Sequence, residues 1–361
     1  MKLVIATPLY PPEIGGPATY AQLLQEGLPK KGIEVTLVKF SEVRHLPKII
    51  RHYVYYRNVL RAALRADVVL ALDPVSVGLP AMKAARKAKK PFIVKVVGDY
   101  AWEQGRQRFG VTQELDAFVQ TKAVPFPVRI FREIQTHVAY RATRIIVPSE
   151  YLKSIVVAWG VPREKIEVIY NATSLGERGV VPQAVALLPH PMVVTVGRLV
   201  PWKHIEGIID AVAGIFGASL AIVGAGPQHT ALTARAKEKL PGRALLTGSL
   251  SHSDTLAVMK SADVLVLNSS YEGLSHLLIE ALMLGLPTIA TAVGGNPEVI
   301  THEDNGILVS AGDPHALANA LARMLGEKDL RQRLSARAQE SAKRFSTETM
   351  LSATAALLRS V

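Results

Sequence analysis

The run Asp263-Val264-Leu265-Val266-Leu267, continued by Ser269-Ser270-Tyr271-Glu272-Gly273-Leu274-Ser275-His276 and Leu277-Leu278-Ile279-Glu280-Ala281-Leu282, decides how the chain is read. Its first residues are a short apolar run, the pattern of a buried strand. Its last residues continue as a helix that Gly285 and then Pro287 stop. A polar turn lies between them, so Glu272 falls in the turn and Glu280 falls inside a helix that starts near Ser275. The turn and the first free N–H groups of the helix then face one cleft. Carboxylates accept hydrogen bonds from hydroxyls, and unpaired N–H groups at a helix start bind phosphate oxygens. The arrangement suits a sugar attached to a phosphate. Taken in isolation, the two Glu residues fit equally well a capping carboxylate and a solvated helix side chain.

Working outward, short apolar runs at residues 192–196, 219–223, 244–247, 264–267, 288–290 and 306–309 alternate with helical patterns. The first half repeats the alternation, with strands expected at residues 2–7, 32–38, 67–72, 92–97, 144–148 and 165–169. Strand–helix alternation of this kind predicts parallel sheets with helices on both faces, twice over. Residues 172–190, with Gly176, Gly179, Pro182 and Pro189, read as the linker between them. Just before and at its start, Asn171-Ala172-Thr173 fits a glycosylation pattern, which is set aside because the apolar start of the chain reads as a strand and not as a secretion signal. Residues 104–127 show no clear period and are expected to form a mobile loop region. The expected boundaries are 1–175 for the first domain, 190–343 for the second and 344–361 for a closing helix.

Several strand-to-helix turns carry residues suited to a phosphorylated ligand. Gly15-Gly16 before Pro17 lets the backbone approach a ligand at a helix start. Arg198 and Lys203, just after the strand at 192–196, can clamp a diphosphate, the Arg as a planar fork and the Lys as a point charge. Gly98-Asp99-Tyr100-Ala101-Trp102-Glu103 sits where the strand at 92–97 ends, so Asp99 and Glu103 are candidate contacts. Gly224-Ala225-Gly226 matches part of a dinucleotide fingerprint, but position 229 is His where the third Gly belongs, which weakens a dehydrogenase reading.

The 361 residues include no Cys, so a disulfide framework and thiolate metal sites are excluded. The net charge is +12, and all of that excess lies in residues 1–180, which hold 27 Lys and Arg against 15 Asp and Glu. Residues 44–66 carry Arg44, Lys48, Arg51, Arg57, Arg61 and Arg65 with no acid, interleaved with Tyr53, Tyr55 and aliphatic side chains. A basic, aromatic helix of this kind can lie on an anionic membrane surface, or be a solvated helix packed by one face. The cluster Lys83, Arg86, Lys87, Lys89 and Lys90 reads as a solvated helix face. No apolar run is long enough to span a membrane, and a cytoplasmic location, peripheral at the inner face of the membrane, is expected.

Glu272-Gly273-Leu274 with Glu280 behind it, Gly197-Arg198 with Lys203 ahead of it, and Pro11-Pro12 before Gly15-Gly16 together resemble glycosyltransferase family 4 over nearly the whole chain. These are retaining, nucleotide-sugar-dependent enzymes. The resemblance implies an α/β protein of GT-B architecture: two Rossmann-like parallel-sheet domains facing across a cleft, with the C-terminal helix crossing back to the first. It implies that Glu280 binds the ribose hydroxyls, that Glu272 binds a hydroxyl of the transferred sugar, and that Arg198 and Lys203 bind the diphosphate with backbone N–H groups near Ser275 and His276. Gly15, Gly16, Gly197, Gly224, Leu250, Gly273 and Leu274 would border the donor, with backbone groups near Leu250 reading the base. Glu272, Asp99, Arg198 and Lys203 are the residues expected to carry catalysis. Many members carry a His in the loop that holds Asp99 here, so Asp99 either replaces it or caps the turn.

The expected activity is transfer of a sugar from a nucleotide diphosphate sugar, a UDP-sugar first, to an acceptor hydroxyl in glycolipid, polysaccharide or other glycoconjugate synthesis. No cofactor and no metal are expected, because Arg198 and Lys203 take the metal's charge role and no Asp-x-Asp pair ends a strand. The expected partners are the donor, a lipid-linked or membrane-borne acceptor and an anionic membrane surface, and no nucleic acid, since no reading motif accompanies the charge. The alternatives are a nucleotide-sugar epimerase or phosphorylase of the same fold, or a non-catalytic partner subunit.

Overall fold

Short apolar runs build two six-stranded sheets in which every pairing is parallel. The first comprises β1 (Lys2–Thr7), β2 (Glu34–Lys39), β3 (Val68–Ala71), β4 (Phe92–Lys95), β5 (Arg144–Val147) and β6 (Ile166–Val168), in the order β2-β1-β3-β4-β5-β6. The second comprises β7 (Met192–Val196), β8 (Ser219–Val223), β9 (Ala244–Gly248), β10 (Val264–Leu267), β11 (Thr288–Thr291) and β12 (Ile307–Val309), in the order β12-β11-β10-β7-β8-β9. Both are doubly wound orders, and each reverses direction at one switch point: between β1 and β3 in the first sheet, between β7 and β10 in the second. Strands β3, β4, β10 and β11 are buried at every position, as parallel strands covered on both faces by helices must be.

This computed structural model describes residues 1–13, 15–173, 175–176 and 179–361. Ile14 of the first loop and Ser174, Glu177 and Arg178 of the linker lie outside the described residues, and Lys48 of the basic segment is described by its backbone alone. The chain divides into two units, Met1–Ala172 with Thr347–Val361, and Thr173–Ser346.

In the first unit the last helix, Thr347–Arg359, buries Met350, Leu351, Ala355, Leu357 and Leu358 in a core that also holds Leu3, Ile5, Leu24, Leu28, Leu70 and Ile93. Its packing is close: a Cβ built on Gly27 would meet Leu351 Cδ1 at 2.2 Å. Lys31 and Glu348 pair at 2.6 Å, and Arg359 donates to the Lys31 carbonyl at 2.5 Å, which ties the chain end to the first helix–strand unit. In the second unit the core gathers Val193, Leu220, Ile222, Val264, Val266 and Ile289 from the sheet with Ile208, Ile209, Leu321 and Leu334 from its helices.

One expectation is corrected. Residues 104–127 include the end of the helix Tyr100–Arg108, the whole helix Leu115–Gln120 and the start of the helix Phe126–Arg141, with loops between them. The first is polar in composition and buries only Ala101, Trp102 and Gly105, which is why no helical period shows. Its anchor is the buried Trp102, whose Nε1 donates to the Gln113 carbonyl at 2.8 Å, while Gly105 leaves room for Val111. In the linker region residues 183–186 form a single short helical turn. Lys83, Arg86, Lys87 and Lys89 are exposed on or just after the helix Gly78–Ala88.

The least comfortable group in the first core is Lys95, at the end of β4, which is 1% exposed. Among the described residues its ammonium has no hydrogen-bond partner, and it sits 3.8 Å over the Tyr20 ring. Burial lowers its pKa from 10.5 to about 7. The unfolded chain therefore holds a proton between those two values that the folded chain has released, so folding stability rises with pH across that window. Lys95→Met should raise the stability of the first unit by roughly 3 kcal/mol near neutrality and remove this pH dependence. Denaturant melts at about pH 7 and about pH 10 measure it; a destabilised variant, or an unchanged slope, would contradict the assignment.

Candidate donor site

The loops after β7 and β10 meet at the switch point of the second sheet, where doubly wound proteins bind ligands beyond the carboxyl ends of their strands. They are joined by two hydrogen bonds to carbonyls of the first loop. Ser270 N donates to the Trp202 carbonyl at 2.8 Å, and Asn268 Nδ2 donates to the His204 carbonyl at 3.1 Å. Arg198 and Lys203 lie on the first of these loops and Glu272 on the second. Lys203 Nζ lies 2.5 Å from Glu272 Oε1, and Ser269 Oγ donates to the same oxygen at 2.8 Å. Both ionic side chains are largely buried, at 19% and 14% exposure. Arg198 is exposed, and its guanidinium makes no hydrogen bond or ion pair among the described residues. The structure thus brings together three of the four residues expected to carry catalysis.

Glycine makes the loops fit. A Cβ on Gly224 would lie 1.9 Å from the Gly197 carbonyl oxygen, and one on Gly226 2.3 Å from that of Leu199. Gly197 N and Leu199 N donate to the Val223 and Ala225 carbonyls at 2.9 and 3.0 Å. The Gly-x-Gly turn therefore serves to lock the Arg198 loop in place. Across the site Gly294, with φ +53°, would put a Cβ 1.8 Å from the Glu272 carbonyl oxygen, and one on Gly295 would come 2.3 Å from that of Gly273. Gly295 N donates to the Glu272 carbonyl at 3.0 Å, and Thr291 Oγ1 donates to that of Ser269 at 2.5 Å. Gly294-Gly295-Asn296-Pro297-Glu298 reads in the sequence as a turn into a helix near this edge, whereas the bond from Thr291 to the Ser269 carbonyl has no signal there.

The helix His276–Leu284 starts where expected. Ser275 is its N-cap, accepting from Leu278 N at 3.4 Å, and Gly285 ends it with φ +65°. Leu274 and Ser275 are buried beneath the turn, and Gly273 and His276 are half-buried. Glu280 lies in the second turn of this helix, and its Oε1 accepts from Thr173 Oγ1 at 3.0 Å and from His252 Nε2 at 2.9 Å. Leu250 lies two residues before His252, past Gly248, whose carbonyl accepts from Gly224 N at 2.9 Å.

Gly15, Gly16 and Asp99 belong to the first unit. Gly15, with φ +150°, precedes the helix Gly16–Gly27, and a Cβ on Gly16 would meet nothing within 4 Å. Asp99 is 1% exposed and caps the helix Tyr100–Arg108. Its Oδ1 accepts from Trp102 N at 2.9 Å and its Oδ2 from Trp159 Nε1 at 3.1 Å, so both oxygens are committed to the fold. Burial raises its pKa against those bonds. The Glu103 carboxyl, one turn on, makes no hydrogen bond among the described residues; burial, then the charges of Asp99 and Asp73, push it up to about 7.

Two family profiles cover most of the chain: the Glycosyl transferase 4-like domain matches residues 15–172, and Glycosyl transferases group 1 matches residues 183–341. The chain is 32% identical over 261 residues to the lipopolysaccharide core biosynthesis glycosyltransferase LpsD of Rhizobium meliloti, spanning 70% of this chain and 72% of that one. It is 27% identical over 268 residues to a GDP-mannose-dependent alpha-mannosyltransferase of Mycobacterium tuberculosis, spanning 73% of this chain and 65% of the other. Among solved structures, HepE of Anabaena in complex with UDP is alike in fold, with a TM-score of 0.79 at 19% identity over 100% of both chains.

Gly294→Ala tests how far the site depends on this backbone contact. The added methyl must displace the Glu272 loop, and misplacing a reacting group by about 1 Å costs roughly a hundredfold in turnover. Sugar-transfer kinetics on the purified variant, with its melting temperature as control, should show that loss; turnover near wild type would mean that the loop position is not critical.

Proposed function

The chain belongs to glycosyltransferase family 4 and has its two-domain GT-B fold, and from that premise we propose that it transfers a sugar from a nucleotide diphosphate sugar to an acceptor hydroxyl with retention of configuration. The observation that carries this reading is the meeting of Arg198, Lys203 and Glu272 at one switch point, on loops locked by glycine contacts. A diphosphate entering there meets the open fork of Arg198 and draws Lys203 away from Glu272. The freed Glu272 carboxylate then accepts from a hydroxyl of the sugar. The first N–H groups of the helix His276–Leu284 add to the phosphate contacts. As the sugar–phosphate bond breaks, negative charge grows on the leaving phosphate, and the two cations stabilise it without a divalent ion. Retention is assigned to a front-face route in which the donor phosphate takes the acceptor proton, since Glu272 is read as the partner of the sugar's hydroxyls and not as a nucleophile. Asp99 holds its loop in this scheme.

UDP in the Anabaena complex supports a UDP-sugar as first candidate, and the GDP-mannose dependence of the mycobacterial relative makes a GDP-sugar the second. The test is donor consumption across UDP-, GDP- and ADP-sugars after exhaustive chelation. One donor class should be hydrolysed slowly, and Arg198→Ala or Lys203→Ala should each lose roughly 2–4 kcal/mol of transition-state stabilisation. Near-wild-type turnover in Lys203→Ala, or activity restored only by magnesium or manganese, would overturn the scheme. Release of an isomeric donor without acceptor would mark an epimerase, and dependence on free phosphate a phosphorylase.

The acceptor is read as membrane-borne. The helix Lys48–Ala63 buries Tyr55 and Val59 and exposes Ile49, Ile50 and Tyr53 together with Arg57 and Arg61. Exposed isoleucines next to arginines on one helix suit an anionic bilayer interface better than water. Among the described residues no helix is long and apolar enough to cross a membrane, so attachment through this helix would be peripheral. The lipopolysaccharide core role in the name of the Rhizobium relative supports an acceptor of this class. Co-sedimentation should show binding to anionic liposomes that weakens in high salt and in Ile49→Ser/Ile50→Ser, with little binding to neutral ones. Equal, negligible binding to both would assign the basic face to a soluble anionic acceptor.

A further inference from the structure

Glu280 is held from two distant parts of the second unit, and both donors fall on one of its oxygens. Thr173 Oγ1 reaches Oε1 at 3.0 Å and His252 Nε2 reaches it at 2.9 Å. Oε2 has no partner among the described residues. The carboxylate side chain is 12% exposed, so it can face a ligand only along a narrow path. A carboxylate free to rotate would offer either oxygen; two donors on Oε1 fix the plane of the group and turn Oε2 outward.

Thr173 is 4% exposed, whereas the His252 side chain is 56% exposed and is held through its backbone. His252 opens the helix His252–Ser261, whose cap Ser251 accepts from Asp254 N at 3.1 Å. The linker lies on that same helix start: Val180 N donates to Asp254 Oδ1 at 2.8 Å, and a Cβ on Gly179 would lie 2.1 Å from the Ser253 carbonyl. His252 also follows Leu250 by two residues, in the turn assigned to the base. In a nucleoside the base and the ribose are covalent neighbours, so a side chain that joins the base turn to the ribose carboxylate sets their relative position.

We infer that His252 and Thr173 are positioning residues for the donor nucleoside: they clamp Oε1 of Glu280 so that Oε2 accepts from the ribose hydroxyls. The inference rests on the reading of Glu280 as the ribose ligand. Glu280 raises the pKa of His252 through their hydrogen bond, against the effect of burial, which agrees with a lasting contact. His252 would not touch the reacting atoms, so its loss should raise the apparent KM for donor and leave kcat at saturation unchanged.

The experiment is calorimetric titration of UDP and GDP, each with its 2′,3′-dideoxy counterpart, into the full chain, continued with the base that wild type binds. The variants are Glu280→Gln, His252→Ala, His252→Gln and the near-isosteric Thr173→Val, each checked by thermal melting. A hydrogen bond to a charged group is worth enough that His252→Ala and Thr173→Val should each weaken the ribonucleotide roughly tenfold. Affinity for the dideoxy nucleotide should not move, and His252→Gln, which keeps an N–H donor, should recover most of the loss. Equal weakening of both nucleotides would make the two residues merely structural and overturn the inference. Wild-type affinity in His252→Ala and Thr173→Val alongside a loss in Glu280→Gln would overturn it while leaving the ribose assignment intact. If Glu280→Gln binds as wild type, the ribose assignment itself falls.

Discussion

The second unit depends on bare backbone meeting bare backbone at the switch point of its sheet. Where Gly224 touches Gly197 and Gly294 touches Glu272, any side chain would occupy space already filled by a carbonyl oxygen. These contacts let the loops after β7, β8, β10 and β11 close on one another with their amides paired. Interiors are packed densely enough that such a contact is either made in full or not at all. The charges follow from the packing: Arg198, Lys203 and Glu272 project from loops that have little freedom to move.

With the loops fixed, electrostatics can be arranged in advance. Lys203 rests against Glu272, both largely withdrawn from water, while Arg198 stays open. Neither buried charge is left without a counterpart, which is the condition for holding both there. An incoming diphosphate can replace Glu272 as the partner of Lys203 without leaving a charge bare, and the sugar can replace Lys203 as the partner of Glu272. In the proposed scheme the resting ion pair keeps the site assembled and reserves both groups for the donor.

How much of this was legible in the sequence follows from the range of the interactions. Strands such as β10 and β11, buried on both faces, announce themselves as apolar runs between turn residues. Arg198, Lys203, Glu272 and the helix capped by Ser275 are local features, and their spacing carried their positions. The helix Tyr100–Arg108 was hidden because it buries so few residues, one of them a tryptophan held by a carbonyl eleven positions away. Asp99 was visible as a residue at a strand end, but its commitment to Trp159 depends on a contact across sixty positions. The same holds for Glu280, whose partners lie 28 and 107 positions away. Thr173 looked like part of a glycosylation pattern, and its actual neighbour is set by the fold of the second unit.

The central claim is that Arg198 and Lys203 hold the donor diphosphate and that Lys203 leaves Glu272 to do so. The structure of the UDP complex tests it most directly. The account predicts phosphate oxygens within about 3 Å of both Lys203 Nζ and the Arg198 guanidinium, with the Lys203–Glu272 pair opened. A diphosphate bound elsewhere, with Lys203 still on Glu272, would contradict it.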